Sequence, residues 1–369
     1  MNAKQTIHEY LSLADIKING DRPWDIQVHN PRFYSKVLAG GTLAFGETYM
    51  DGWWDCKQID ELINRICRAK IYHKVKDTGM LWNVLKAKVI NMQNRSRAYE
   101  VGKKHYDIGN DLFKLMLDKR MNYSCGYWKT AKTLDEAQEA KLDLICRKIG
   151  LKKGMTVLDI GCGWGGFAQY AAKKYKVKVL GITISKEQAK LARERCKGLD
   201  VEIRLQDYRQ VRGEFDRVVS VGMIEHVGYK NYRTYMKVAH RCLKPDGIFL
   251  LHTLGKNISV RTDEPWMVKY IFPNGMCPSA KQLTTAAEQL FVLEDWHTLG
   301  VDYEKTLLAW HKNFTKNWDK LSGKYDQRFY RMWVYYLLIN AGSFRARDSQ
   351  LWQIVLAKKG VDNGYESVR

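Results

Sequence analysis

The residues best suited to chemistry gather at Met155–Gly166, which reads Met-Thr-Val-Leu-Asp-Ile-Gly-Cys-Gly-Trp-Gly-Gly. Asp159 stands just ahead of Gly161, Gly163, Gly165 and Gly166. Glycines at such a turn admit bare backbone beside a ligand, and the helix start that follows aims free N–H groups at it. A single glycine fits an ordinary strand-to-helix turn; this density points to an adenine-containing cofactor. Glu225, in the turn Gly222-Met223-Ile224-Glu225, is the first choice for a side-chain general base. Taken singly, His252 reads as a core histidine, Cys125 as a small buried hydrophobe and Tyr303 as a packing residue.

These residues need a scaffold, and the hydrophobic pattern supplies one. It predicts strands at 155–160, 177–182, 201–205, 215–221 and 247–252, alternating with helices at 165–175, 186–197 and 231–243. Such alternation is an α/β, doubly wound parallel sheet, whose ligands bind outside the carboxyl ends of the strands. Those ends carry Gly161 and Gly163, then Thr183, Asp207, Gly222 to Glu225, and His252. Upstream, Thr133 and Glu136 form a capping box that opens a helix Leu134–Ile149. Downstream, 263–275 reads as an irregular apolar insert that either lines a pocket or packs over the sheet. Helices from Asp302-Tyr303 to Trp318 and over Phe329–Ile339 follow, then a last strand at Trp352–Leu356.

Residues 1–95 read as a separate, smaller and mainly helical unit for lipid docking or dimerisation, with a basic linker to about 104 and the catalytic domain over 105–369. Within the unit, Thr6–Leu13 is expected as helix, Asp25–His29 as a short strand and Phe33–Leu38 as the start of another helix. Gly40–Trp54, dense in glycine and aromatics, is expected as a tightly turned buried loop. The chain carries a formal charge of +21. Between Arg65 and Lys104, eleven lysines and arginines face only Asp77 and Glu100. Val75, Met80, Leu81, Val84, Leu85, Val89, Ile90 and Met92 recur there at roughly helical spacing. That suits an anionic lipid surface, where each basic group contributes ~1 kcal/mol, and equally suits a solvated face of the domain itself. No apolar run reaches the ~18–20 residues of a membrane span. The eight cysteines show no C-x-x-C spacing, so neither metal nor disulfide framework is expected and the chain reads as cytoplasmic. Nothing resembles a nucleic-acid-binding motif.

Gly161, Gly163 and Gly166 also fit the dinucleotide pattern G-x-G-x-x-G. That pattern wants an acid at the end of the second strand, where this chain has Thr183-Ile184-Ser185. Leu158-Asp159-Ile160-Gly161-Cys162-Gly163 instead resembles the S-adenosylmethionine methyltransferases. Adding Tyr123-Ser124-Cys125-Gly126-Tyr127-Trp128, Gly222-Met223-Ile224-Glu225-His226-Val227-Gly228 and Leu251-His252-Thr253-Leu254-Gly255, the chain resembles the cyclopropane-fatty-acyl-phospholipid synthases over nearly its whole length. The resemblance implies a Rossmann-like class I S-adenosylmethionine-dependent sheet. It implies methylene transfer to a cis double bond of a phospholipid acyl chain, and a bound bicarbonate as general base. Its ligands carry over as Cys125, Glu225, His252, Tyr303 and the backbone of Leu254. Cofactor contacts carry over as Tyr123, Ser124, Gly161, Gly163, Thr183, Gln188, Asp207 and Gly222, with Asp159 and Tyr208 beside them. The resemblance further implies a homodimer attached to the phospholipid bilayer at the inner face of the cytoplasmic membrane.

Such chemistry asks for accurate placement, because an isolated alkene is a weak nucleophile; positioning can contribute ~7–11 kcal/mol. The cation left in the chain requires a dry site, and a proton must then leave so that the ring can close.

Overall fold

The computed structural model describes residues 2–71 and 109–369. The basic linker and most of the amphipathic window, residues 72–108, lie outside the described residues. Contacts divide the chain into two compact units, one of 1–90, 261–273 and 303–349, the other of 91–260, 274–302 and 350–369.

The second unit is the predicted doubly wound sheet with helices. Its strands, in chain order, are β1 (Thr156–Ile160), β2 (Lys178–Thr183), β3 (Val201–Leu205), β4 (Phe215–Val221), β5 (Leu243–Lys256), β6 (Val292–Thr298) and β7 (Ser349–Ala357). Their spatial order is β3-β2-β1-β4-β5-β7-β6. Strands β1 to β5 pair in parallel, and β6 runs antiparallel to β7. The order reverses between β1 and β4, which is the switch point where ligands enter such sheets. Alternate β1 residues enter opposite faces. Val157 packs with Leu142, Ile145 and Phe167, whereas Leu158 and Ile160 pack with Tyr235, Met236 and Phe249. Asp159 therefore points to the same side as Val157, the side covered by helix Leu134–Lys148. That helix starts as expected: Thr133 accepts from the Glu136 N–H and Glu136 from the Thr133 N–H.

Two elements of this unit escaped the sequence pattern, the helix Ala280–Ala287 and β6. Strand β6 exposes Val292 and Leu293 and carries Glu294, Asp295 and His297, so it lacks the apolar run of a covered strand.

In the first unit the expected loop at Gly40–Trp54 is corrected. Helix Phe33–Met50 runs through it, kinked at Gly41 (φ 56°, ψ −141°), and only Trp54–Asp55 is extended, pairing with Gln27–Val28. One of the glycines that suggested a loop, Gly46, has a packing reason. A Cβ on Gly46 would lie 2.4 Å from the Trp266 ring and 2.8 Å from Tyr335. The irregular insert at 263–275 likewise contains a short helix, Pro265–Tyr270, whose first N–H groups are capped by Glu264 accepting from Met267. The aromatic helix expected at Phe329–Ile339 extends over Gln327–Arg345.

Candidate active site

At the carboxyl end of β1, Gly161, Gly163 and Gly165 take φ of 85°, 53° and 79°, and Gly222 after β4 takes 63°. Positive φ is cheap only for glycine, so the turn's shape dictates the residue type. The neighbourhoods differ. A Cβ on Gly161 would meet Met223 Cγ at 2.7 Å, whereas Cβ atoms on Gly163 and Gly222 would meet nothing within 4 Å. Backbone with open space above it, at the switch point, is a cradle for a ligand.

Asp159 is buried beneath this turn, and its Oδ2 has no hydrogen-bond partner among the described residues. Burial pushes its carboxyl up to about 7, with the Lys141 ammonium pulling the other way. Around the cradle, Thr183 Oγ1 donates to Gln188 Oε1 at 2.8 Å, tying the end of β2 to the helix that follows. Asp207, after β3, accepts from the Arg209 N–H at 2.9 Å and from Arg209 Nη1 at 2.8 Å. The neighbouring Tyr208 ring is buried against Tyr235, with the Arg209 guanidinium over it. Tyr123 packs edge-on to Phe113, which also touches Trp164 of the glycine turn. The unpartnered carboxylate oxygen and the open glycine backbone fit a ligand offering hydrogen-bond donors, as the ribose and amino groups of S-adenosylmethionine do. Tyr123, Ser124, Asp159, Gly161, Gly163, Thr183, Gln188, Asp207, Tyr208 and Gly222 all belong to this unit.

A second group of polar residues stands at the ends of β4 and β5, where Val221 is the register partner of His252 and the Gly222 N–H donates to the His252 carbonyl. Glu225 is buried; its Oε1 accepts from Thr253 Oγ1 at 3.0 Å and from the Leu254 N–H at 2.7 Å, and its Oε2 has no partner among the described residues. Burial raises its carboxyl above the ordinary range, against the pull of those donors. An N–H can only donate, so Oε1 remains an acceptor and Oε2 is the oxygen that gains and loses the proton. Leu254 thus enters the site by anchoring Glu225. His252 is buried, and burial, with Lys141 and Lys148 adding to it, holds its ring well below the usual range, hence neutral. Gln353 Nε2 stands 3.3 Å from Nδ1, so Nδ1 accepts and the ring proton sits on Nε2, which has no partner among the described residues. Cys125 is buried with Sγ 3.1 Å from the Gly126 carbonyl.

Tyr303 belongs to the first unit, where its ring packs on Trp310 and Phe344. Four residues with a bearing on the site were not foreseen: Gln138, Lys141, Thr253 and Gln353. Gln138 and Lys141 hold Ser124, and the other two orient Glu225 and His252. The lysine had a legible signal. On helix Leu134–Lys148 it recurs with Ala137, Leu144 and Lys148 on the buried stripe, where a charge is out of place.

The family model described as mycolic acid cyclopropane synthetase matches residues 93–354. Among curated proteins, the chain is similar to the cyclopropane-fatty-acyl-phospholipid synthase of Escherichia coli, at 53% identity over 98% of this chain and 95% of that one. Among solved structures it is similar to the cyclopropane synthase MmaA2 from Mycobacterium tuberculosis, with TM-score 0.67 and 31% identity over 73% of this chain and 100% of that one. It is also similar to mycolic acid cyclopropane synthase CmaA1 complexed with SAH and CTAB, with TM-score 0.66 and 32% identity over 70% and 98% of the two chains.

Proposed function

The chain belongs to the mycolic acid cyclopropane synthetase family, and from that premise we propose that it acts on unsaturated phospholipid acyl chains, closing a cis double bond into a cyclopropane. It is an S-adenosylmethionine-dependent methyltransferase of the cyclopropane-fatty-acyl-phospholipid synthase kind. When bound, S-adenosylmethionine supplies the added carbon as a sulfonium methyl group.

The chain's own contributions follow from its geometry. The main chain at Gly163 and Gly222 leaves room for the donor, and Asp159 offers it a carboxylate oxygen without a partner among the described residues. The observation that carries the acceptor half is Glu225, a buried carboxylate held by two donors on one oxygen and bare on the other. Held this way, Oε2 can keep or exchange a proton without the side chain moving. His252 offers a neutral Nε2–H at the same pair of strand ends. In our reading these two groups, with Cys125 and the loop anchored by Leu254, hold a bicarbonate ion as the base that receives the proton lost on ring closure. Donors aimed at an oxyanion in a dry site also stabilise positive charge developing beside it. The share of Tyr303 in that set rests on the family resemblance.

The reading carries with it a homodimer at an anionic phospholipid bilayer, on the inner face of the cytoplasmic membrane. The formal charge of +21 supports the bilayer part, and among the described residues no helix is long and apolar enough to cross a membrane.

The test is incubation with S-adenosylmethionine and unsaturated phospholipid vesicles, followed by mass analysis of the fatty acids. A product one CH2 heavier that takes up no hydrogen over a catalyst is the expected ring. A heavier product that does take up hydrogen, or none at all, overturns the proposal.

A further inference from the structure

Helix Leu134–Lys148 buries a lysine where a core side chain is expected. Lys141 is 1% exposed. Among the described residues its one hydrogen-bond partner is Ser124 Oγ, at 3.0 Å, and it makes no ion pair there. One turn earlier, Gln138 is fully buried and its Nε2 donates to the Ser124 carbonyl at 2.7 Å. Two side chains from one helix face thus clamp both oxygens of Ser124, the residue preceding Cys125. An apolar side chain would fill the same volume without the cost of burying a charge unpaired.

Four titratable groups face this ammonium from the elements around it: Asp118 and Cys125 from the preceding loop, Asp159 from β1 and His252 from β5. Asp118 is already occupied, accepting from the N–H groups of Arg120 and Asn122 and from Asn122 Nδ2. His252 is neutral. Burial lowers the lysine to about 8, with Asp118, Cys125 and Asp159 holding it up, so it remains mostly charged at neutral pH.

We propose that Lys141 is a positioning residue for a carboxylate-type oxyanion. Its ammonium donates to Ser124 Oγ, which leaves the Ser124 O–H no choice but to point elsewhere as a donor, and its incompletely matched charge selects an anion for that donor to meet. This rests on the function proposed above. The oxyanion has two possible sources there, the amino-acid carboxylate of the cofactor and free bicarbonate.

Calorimetric titration of wild type, Lys141→Met and Lys141→Arg with S-adenosylhomocysteine and with methylthioadenosine, which lacks the amino-acid part, separates the sources. If the cofactor carboxylate is the anion, Lys141→Met weakens S-adenosylhomocysteine about tenfold or more and leaves methylthioadenosine within about twofold. If bicarbonate is the anion, S-adenosylhomocysteine is unchanged and the bicarbonate concentration giving half-maximal rate rises about tenfold. In either case Lys141→Arg restores most of the loss. Unchanged constants in Lys141→Met, or methylthioadenosine weakened in step with S-adenosylhomocysteine, overturn the proposal. Should Lys141→Met not fold, Ser124→Ala carries the same comparison with the same outcomes. A wild-type protein that binds neither nucleoside and forms no ring would sink the function itself, a separate result from wild-type activity with an indifferent Lys141.

Discussion

The end of β1 presents main chain, whereas the ends of β4 and β5 present buried side chains held by hydrogen bonds. The cradle is set by dihedral angles: Gly161, Gly163 and Gly222 sit at positive φ, and their identity follows from local geometry. The Glu225 and His252 end is set by hydrogen bonds, from Thr253, Leu254 and Gln353. Backbone shape suits a donor molecule that must be gripped the same way each time. Buried titratable side chains suit a step in which a proton moves, because burial displaces their protonation equilibria.

If the two ends have separate tasks, they should fail separately. The largest effect is expected from Glu225→Gln, which keeps an acceptor for Thr253 and Leu254 but cannot exchange a proton. Turnover should fall by ~10²–10⁴, with S-adenosylhomocysteine affinity nearly unchanged in calorimetry. Equal losses in both would merge the two ends into one.

Within the cradle, glycine substitutions sharpen the contrast. Gly161→Ala adds a Cβ 2.7 Å from Met223 Cγ to the strain of φ 85°, whereas the Cβ of Gly163→Ala meets no protein atom within 4 Å and enters the space proposed for the cofactor. Strain costs ~1–2 kcal/mol, a factor of about 5–30, so both variants should melt lower, Gly161→Ala the more, while Gly163→Ala should weaken S-adenosylhomocysteine binding in calorimetry at least as much as Gly161→Ala. Matching losses of melting temperature would show that the packing against Met223 is immaterial.

The smallest effect concerns stability. Asp159 titrates at about 7 when folded, against 3.8 as its ordinary value. Between those values the folded chain keeps a proton that the unfolded chain has released. The group's contribution to stability therefore falls as pH rises from about 4 to above 7. Asp159→Asn, which has no charge to bury, should raise the melting temperature of the ligand-free protein by a few degrees at pH 8 and by less at pH 5. A lower melting temperature at pH 8 would mean that the Lys141 charge depends on Asp159 more than Asp159 suffers from burial.

The contrast between the ends also explains what could be read from the chain. The β1 turn was legible because everything that shapes it lies within a dozen consecutive residues, and the capping box at Thr133 is local in the same way. The sheet followed, since covered strands and amphipathic helices declare themselves by period. What was hidden depends on partners far along the chain. Gln353 reaches His252 across 101 positions and Leu254 reaches Glu225 across 29. Helix Phe33–Met50 was obscured for a different reason: Gly46, whose missing Cβ makes room for Trp266 and Tyr335, looks in sequence like a turn residue. Residue types alone carried Cys125 and Tyr303 no further than packing.

Glu225 grows from the turn after β4 yet is fastened to β5, the strand that also bears His252. Its carboxylate is therefore indexed to the same girder as the imidazole, whatever the turn's own main chain does. If Met223 and Ile224 give way to admit chains of different bulk, the offset between Oε2 and Nε2 is kept by the bonds to Thr253 and Leu254. Tolerance toward the guest and constancy of the Glu225–His252 pair would then fall to different joints of one small assembly.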